Sequence, residues 1–491
     1  MLMPRRRLLY RAMKAGFWAF AIRGIGRAMT ITRTLILARL LAPTEFGLMG
    51  IAVVVMLLLD RLSQTGFTEA LIQREGDIDE YLDSTWTIEI IRNVILAGLL
   101  LLAAPLVAMF YVAPELLPIL RVLAISVVVR GFTNTGVVAF RRALEFDKQF
   151  RFELSQRITE VVVGIAAAII LRNVWALVFG VLASSVVRVV MSFVLVPQGR
   201  RLEFNRAKAR DLFSFGKWVL VSGVMTYFVM NLDDLVVGKL VGVAGLGLYR
   251  MAFTISQAVA TELAQVTNQV TFPAYSQVQG SLARLTSAYR QTLHAVAFLA
   301  FPAALGVFVV AQDFTAVVLG EHWLPMVRAL QIMSIGGLIR SLGATAAPLL
   351  NATGNPKMAA RYVALKLFVL ASLIYPLAVT NGLSGAAAAT AIASLVSTVG
   401  TLRRVSIVLK RSWLETVRPM LFPALHGTIT ALAIYGVRSM FAPESGWIPL
   451  AAMIAVGAAV YTVVVQVSAR RLGYDDAVQL WASIKGLRAA S

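Results

Sequence analysis

Apolar runs of about twenty residues, separated by short charged stretches, recur from residue 15 to residue 469. A helix needs about 20 mostly apolar residues to cross a bilayer, so each run reads as a membrane span. Bounding the runs by charge, Pro and Gly gives fourteen spans. The first six lie near 15–41, 47–71, 84–111, 115–140, 153–172 and 174–197. The next six lie near 213–240, 246–271, 285–310, 325–350, 358–379 and 383–409, with two more near 418–441 and 447–469. Only 14% of residues are charged, against roughly 25% in an ordinary soluble chain. That excludes a soluble enzyme, a disordered chain and a nucleic-acid-binding domain, which would gather its basic residues on a solvated face. The fold class is an all-α polytopic membrane protein.

The net charge of +21 is largely an orientation signal. With the N-terminus in the cytoplasm, the inward loops and tails hold 27 Lys and Arg, whereas Arg172, Lys239 and Arg438 stand outside. This asymmetry follows the positive-inside rule and predicts cytoplasmic termini and short outer loops. The basic start Pro4–Arg7 precedes a stretch containing Lys14, Arg23 and Arg27, and it reads as a retained first span rather than a cleaved signal.

An internal repeat organises the chain. Residues 38–52 align without gaps on 238–252, with Leu40/Leu240, Gly47/Gly247, Leu48/Leu248 and Ala52/Ala252 identical. Residues 117–125 match 324–332 through the pattern Leu-Pro-x-x-Arg-x-Leu-x-Ile. Six spans per unit keep both halves in one orientation. Parallel repeats predict two six-helix lobes about a pseudo-twofold axis along the membrane normal, with a central site between them. The expected domains are a basic cytoplasmic tail (1–14), an N-lobe (15–197), a basic linker (198–212), a C-lobe (213–409), two further spans (410–469) and an amphipathic tail (470–491). The linker and the tail read as surface anchors drawn to anionic lipid.

Sixteen basic residues fall within spans, where an Arg at mid-depth costs at least ~2.5 kcal/mol. Some lie near span ends and reach the headgroups. Arg92 beside Glu89, and Arg157 between Glu153 and Glu160, read as pairs neutralised on their own helix face. Arg23, Arg27, Arg33, Arg130, Arg188 and Arg340 have no acidic residue within four positions, and Arg250 joins them if it lies deep. Such guanidiniums suit a phosphate-bearing anion, which Arg grips bidentately; interhelical pairing is the alternative. Arg33 and Asp233 are repeat equivalents and, with Asp234, read as an outer gate. Asp60, Glu69, Glu160 and Glu262 are candidates for Na⁺ or H⁺ coupling or for counter-charges.

Chemistry is sparse. There is no Cys and no P-loop, and the three His are far apart in sequence; no metal site or cofactor is expected. Asp77-x-Asp79 reads as a solvated loop and Gly238-x-x-x-Gly242 as helix packing.

Several stretches carry a resemblance: LARLLAPTEFGLMGIA (37–52), GFTEALIQ (66–73), RRALEFDKQFR (141–151), the NLDDLVVGKLVGVAGLGLYRMAF segment within 215–253, FPAYSQ (272–277) and LGEHWLPMVRALQI (319–332). From about residue 14 to 410 the chain resembles the polysaccharide transporter family of the MOP flippase superfamily, and within it the Wzx-type repeat-unit flippases. The resemblance implies a non-enzymatic flippase of the bacterial inner membrane with a MOP/MATE-like fold. Its cargo would be an undecaprenyl-diphosphate-linked oligosaccharide, moved by alternating access for exopolysaccharide, capsule or O-antigen synthesis. Membrane lipids, a polysaccharide polymerase and a chain-length regulator are the implied partners. By their places in the first and eighth spans, Arg23, Arg27 and Arg250 correspond to arginines of related flippases. The competing expectations are a MATE-like multidrug or cation antiporter, and a polysaccharide polymerase or ligase.

Overall fold

The computed structural model describes residues 24–63, 79–143, 145–203, 206–441 and 446–471. Helix occupies part of each of the fourteen apolar stretches, and there is no strand among the described residues. The helices used below are α1 (24–40), α2 (Pro43–Leu62), α3 (Asp79–Tyr111), α4 (Leu116–Gly131), α5 (Phe146–Leu171), α6 (Trp175–Leu195) and α7 (Arg206–Leu240). They continue as α8 (Gly242–Val278), α9 (Leu282–Phe314), α10 (Val327–Ala344), α11 (Pro356–Val408), α12 (Leu421–Phe441) and α13 (Trp447–Arg471). Eight helical stretches among the described residues are long and apolar enough to cross a membrane. The chain is a multi-pass membrane protein. The break expected between 379 and 383 falls at Gly382, whose φ of 54° and ψ of −130° divide α11 into two helices. Glycine tolerates that conformation because it has no Cβ.

The chain divides into two compact units, Met1–Gly247 and Leu248–Ser491. In the first, α2 opens with Pro at its first position and Glu45 in its first turn. Glu45 Oε2 also accepts the backbone N–H of Val174 at 2.8 Å, tying the start of α2 to the start of α6. Helices α5 and α6 approach closely at paired glycines: a Cβ on Gly180 would stand 3.1 Å from the Glu160 carbonyl oxygen and 3.4 Å from Gly164 Cα. Small residues permit such backbone approach between membrane helices. The seventh span, placed by the repeat in the second half, packs within this unit. The Tyr227 hydroxyl on α7 donates to the Val54 carbonyl on α2 at 3.0 Å, and Lys239 sits 4.7 Å from the Phe110 ring centroid.

The repeat also appears as a contact. A Cβ on Gly47 would lie 1.8 Å from the Val243 carbonyl oxygen, and one on Gly247 would lie 1.8 Å from that of Pro43. Residues 43 and 47 correspond to 243 and 247 in the alignment, so α2 and the start of α8 meet reciprocally through equivalent residues.

The second unit is built around α9. Tyr289 and Leu293 on α9, Leu349 and Leu350 after α10, and Val405 on α11 are fully buried in one apolar cluster. Hydroxyls in and around it find partners within the unit. The hydroxyls of Tyr289 and Thr345 are 3.3 Å apart, and Thr398 Oγ1 donates to the Ile339 carbonyl at 3.2 Å. The last two spans are held against α9: Tyr461 on α13 donates to the Phe298 carbonyl, His294 Nδ1 donates to the Pro419 carbonyl at 3.0 Å, and Arg438 on α12 pairs with buried Asp313 at 2.8 Å.

Candidate functional site

The first unit encloses a cavity of about 810 Å³, lined from α2, α3, α4, α5, α6 and the segment 133–140. Its size falls within the ~300–1,000 Å³ of typical ligand sites, but its lining is charged. Asp60, Glu89, Glu153 and Glu160 stand against Arg92, Arg130, Arg157 and Arg188. Amides and hydroxyls fill the gaps, among them Asn93, Gln149, Gln156, Ser184 and Ser185.

One wall is a three-way ion cluster. Arg92 pairs with Glu89 on its own helix at 3.0 Å and with Asp60 on α2, while its Nε donates to the Ser63 carbonyl at 3.0 Å. One guanidinium thus satisfies two carboxylates and the C-terminal end of α2, where helix carbonyls lack intrahelical partners. Asp60, expected as an ion-coupling group or counter-charge, serves here as a counter-charge.

The opposite wall departs from expectation. Arg157 reads in the sequence as neutralised by Glu153 and Glu160. Instead, Arg33 on α1 reaches Glu160 at 2.5 Å, and Arg157 makes no hydrogen bond or ion pair among the described residues. Its guanidinium lies against α1 at Gly26, where a Cβ would come within 2.9 Å of Cζ. The physical reason is competition: an interhelical cation takes the carboxylate that an i, i+3 neighbour would otherwise hold. Arg33, expected to gate with Asp233, therefore has an ion-pair partner that the sequence reading did not give it. Asp233 is buried and Asp234 half-buried on α7.

Arg130, at the end of α4, lines the cavity and likewise makes no side-chain hydrogen bond or ion pair among the described residues. Arg188 donates to Gln156 Oε1 at 3.1 Å and stands 5.3 Å from the Phe152 ring centroid. Asn134, which is fully buried, also belongs to the lining. Its side chain accepts from Gly136 N–H and Arg200 Nε, both at 2.9 Å, and donates to the Val196 and Gln198 carbonyls. Arg200 also pairs with Asp83 at 3.5 Å. Sequence reasoning missed this hub; its local trace is Asn134 two residues before Gly136, an Asx-type turn signal.

The structure thus brings Arg130 and Arg188 together with Arg92 and Arg157. Arg27 is half-buried on α1. Arg250 and Arg340 belong to the second unit, where Arg340 stands 5.2 Å from the ring centroid of Phe253, one turn beyond Arg250. Arg23 and Glu69 lie outside the described residues, as do the side chain of Glu262, the tail 1–14 and residues 472–491. No three His, Asp or Glu side chains converge as a metal ion would need among the described residues.

The profile of the polysaccharide biosynthesis protein family matches residues 36–328, more than half of the chain. The chain belongs to that family. This polysaccharide biosynthesis protein is 26% identical over 385 residues to the lipopolysaccharide biosynthesis protein WzxC of Escherichia coli K12, covering 76% of each chain. It is 22% identical over 446 residues to the succinoglycan biosynthesis transport protein ExoT of Rhizobium meliloti, covering 89% of each. Among solved structures, the lipid II flippase MurJ in an inward closed conformation superposes with a TM-score of 0.74 at 14% identity, over 93% of this chain and 99% of that one. That likeness shows that this chain shares its fold with that structure.

Proposed function

We propose that this polysaccharide biosynthesis protein is a flippase, a transporter and not an enzyme, that moves a lipid-linked oligosaccharide across a bacterial membrane. The observation that carries the reading is a charged cavity inside a membrane helix bundle, where the guanidiniums of Arg130 and Arg157 make no ion pair or hydrogen bond among the described residues. Such groups are costly in a bilayer unless they serve a function, and the anionic groups of a glycan carrier answer them. The relatives WzxC and ExoT, named for lipopolysaccharide biosynthesis and succinoglycan transport, support the same reading.

The finer picture is a chain of fourteen spans in the inner membrane with both termini cytoplasmic, as the basic loops direct. The cargo is an undecaprenyl-diphosphate-linked repeat unit. Arg23, Arg27, Arg130 and Arg188 in the first unit, and Arg250 and Arg340 in the second, meet its anionic groups. Arg33, Asp233 and Asp234 act in gating. Net movement comes from a Na⁺ or H⁺ gradient through Asp60, Glu69, Glu160 or Glu262, or from consumption of cargo by a polymerase and its chain-length regulator.

Deleting the gene tests the reading. Lipid-linked repeat units should accumulate facing the cytoplasm and surface polymer should vanish; unaltered polymer would overturn it. Complementation with Arg27→Ala should fail to restore export while the variant reaches the membrane at the wild-type level.

A further inference from the structure

Charge counting narrows what the first unit's cavity holds. Among the described residues its lining carries four acidic and four basic side chains, and Arg33, reaching in to Glu160, adds a fifth cation. The balance is a single positive charge, matched to a monoanion; a diphosphate would bring a surplus of negative charge beside four carboxylates. The neutral lining suits sugar hydroxyls. Gln149 donates to Glu153 at 2.8 Å, while its buried Oε1 accepts no hydrogen bond among the described residues, leaving an acceptor for a hydroxyl donor.

We propose that this cavity is a subsite for one carboxylate-bearing sugar of the glycan, such as a uronate, held through Arg130 and Arg157. Arg33 is a positioning residue: by holding Glu160 it leaves Arg157 available to the cargo. Remove Arg33, and Glu160 turns to its i, i+3 neighbour, because side chains so spaced face each other on a helix. The anion site is then neutralised from within. The inference rests on the flippase reading and specifies its cargo as an acidic glycan.

The test uses the full chain in lipid nanodiscs, titrated with a glucuronate-containing disaccharide, its neutral glucose counterpart and inorganic pyrophosphate. A charge-assisted hydrogen bond is worth about tenfold or more in affinity. The uronate probe should therefore bind about tenfold tighter than the neutral one, and Arg157→Gln should abolish that preference. Arg157→Lys keeps the charge and should retain part of it. Arg33→Gln should weaken uronate binding as Arg157→Gln does, and adding Glu160→Gln to Arg33→Gln should restore it. A merely structural role for Arg33 predicts no such rescue. Equal binding of the two disaccharides, an Arg157→Gln variant that keeps the preference, or tighter binding of pyrophosphate that depends on Arg157 would each overturn the proposal. Binding is read on purified protein, so the deletion phenotype judges the flippase reading separately.

Discussion

The two units solve the same problem, packing apolar helices, with different emphases. The first keeps an open space and lines it with charges held by long-range partners, such as Arg92 with Asp60 and Arg33 with Glu160. The second contains an apolar cluster of Leu, Ala, Tyr and Val in which Tyr289 meets Thr345 through their hydroxyls, with its charged pair Arg438–Asp313 set at the last spans. Burying charge is costly unless it is paired and hydrogen-bonded, so the first unit spends stability on a polar site while the second recovers it through packing.

Substitutions in the two interiors should therefore fail differently. The largest stability loss is expected in the second unit. Leu349→Ala removes a fully buried side chain from the apolar cluster and should cost about 3 kcal/mol, read as a lowered unfolding temperature in detergent. Export per folded molecule should stay unchanged; lost export at normal protein levels would break the contrast. Next is Arg92→Met, which strands Asp60 and Glu89 in a partly exposed cluster and should cost about 2 kcal/mol. Adding Asp60→Asn and Glu89→Gln should recover most of the stability, because the uncompensated charges are gone, but not export. The smallest effect belongs to Tyr289→Phe, which deletes one hydroxyl and should cost about 1 kcal/mol with export intact.

The spans were legible because apolar length is a local property. Even the break at Gly382 fell between the two stretches that bracket it. Arg92 was half legible: the Glu89 partner is three residues away, whereas Asp60 and the Ser63 carbonyl come from another helix. Arg157 was misread for the same physical reason. Spacing shows which carboxylates are within reach, but Arg33, distant in the chain, decides which is taken. The enclosure of Arg130 and Arg188 in one cavity with Arg157 follows from packing five helices and was not written in any single span.

The reciprocal approach of Gly47 to Val243 and of Gly247 to Pro43 sets a two-sided constraint. A contact whose two sides are each other's repeat counterparts is isologous, the kind two identical subunits make across a twofold axis. The two glycines need not be identical in surroundings, but each must stay small, because a bulky residue on either side is excluded by the backbone of the other.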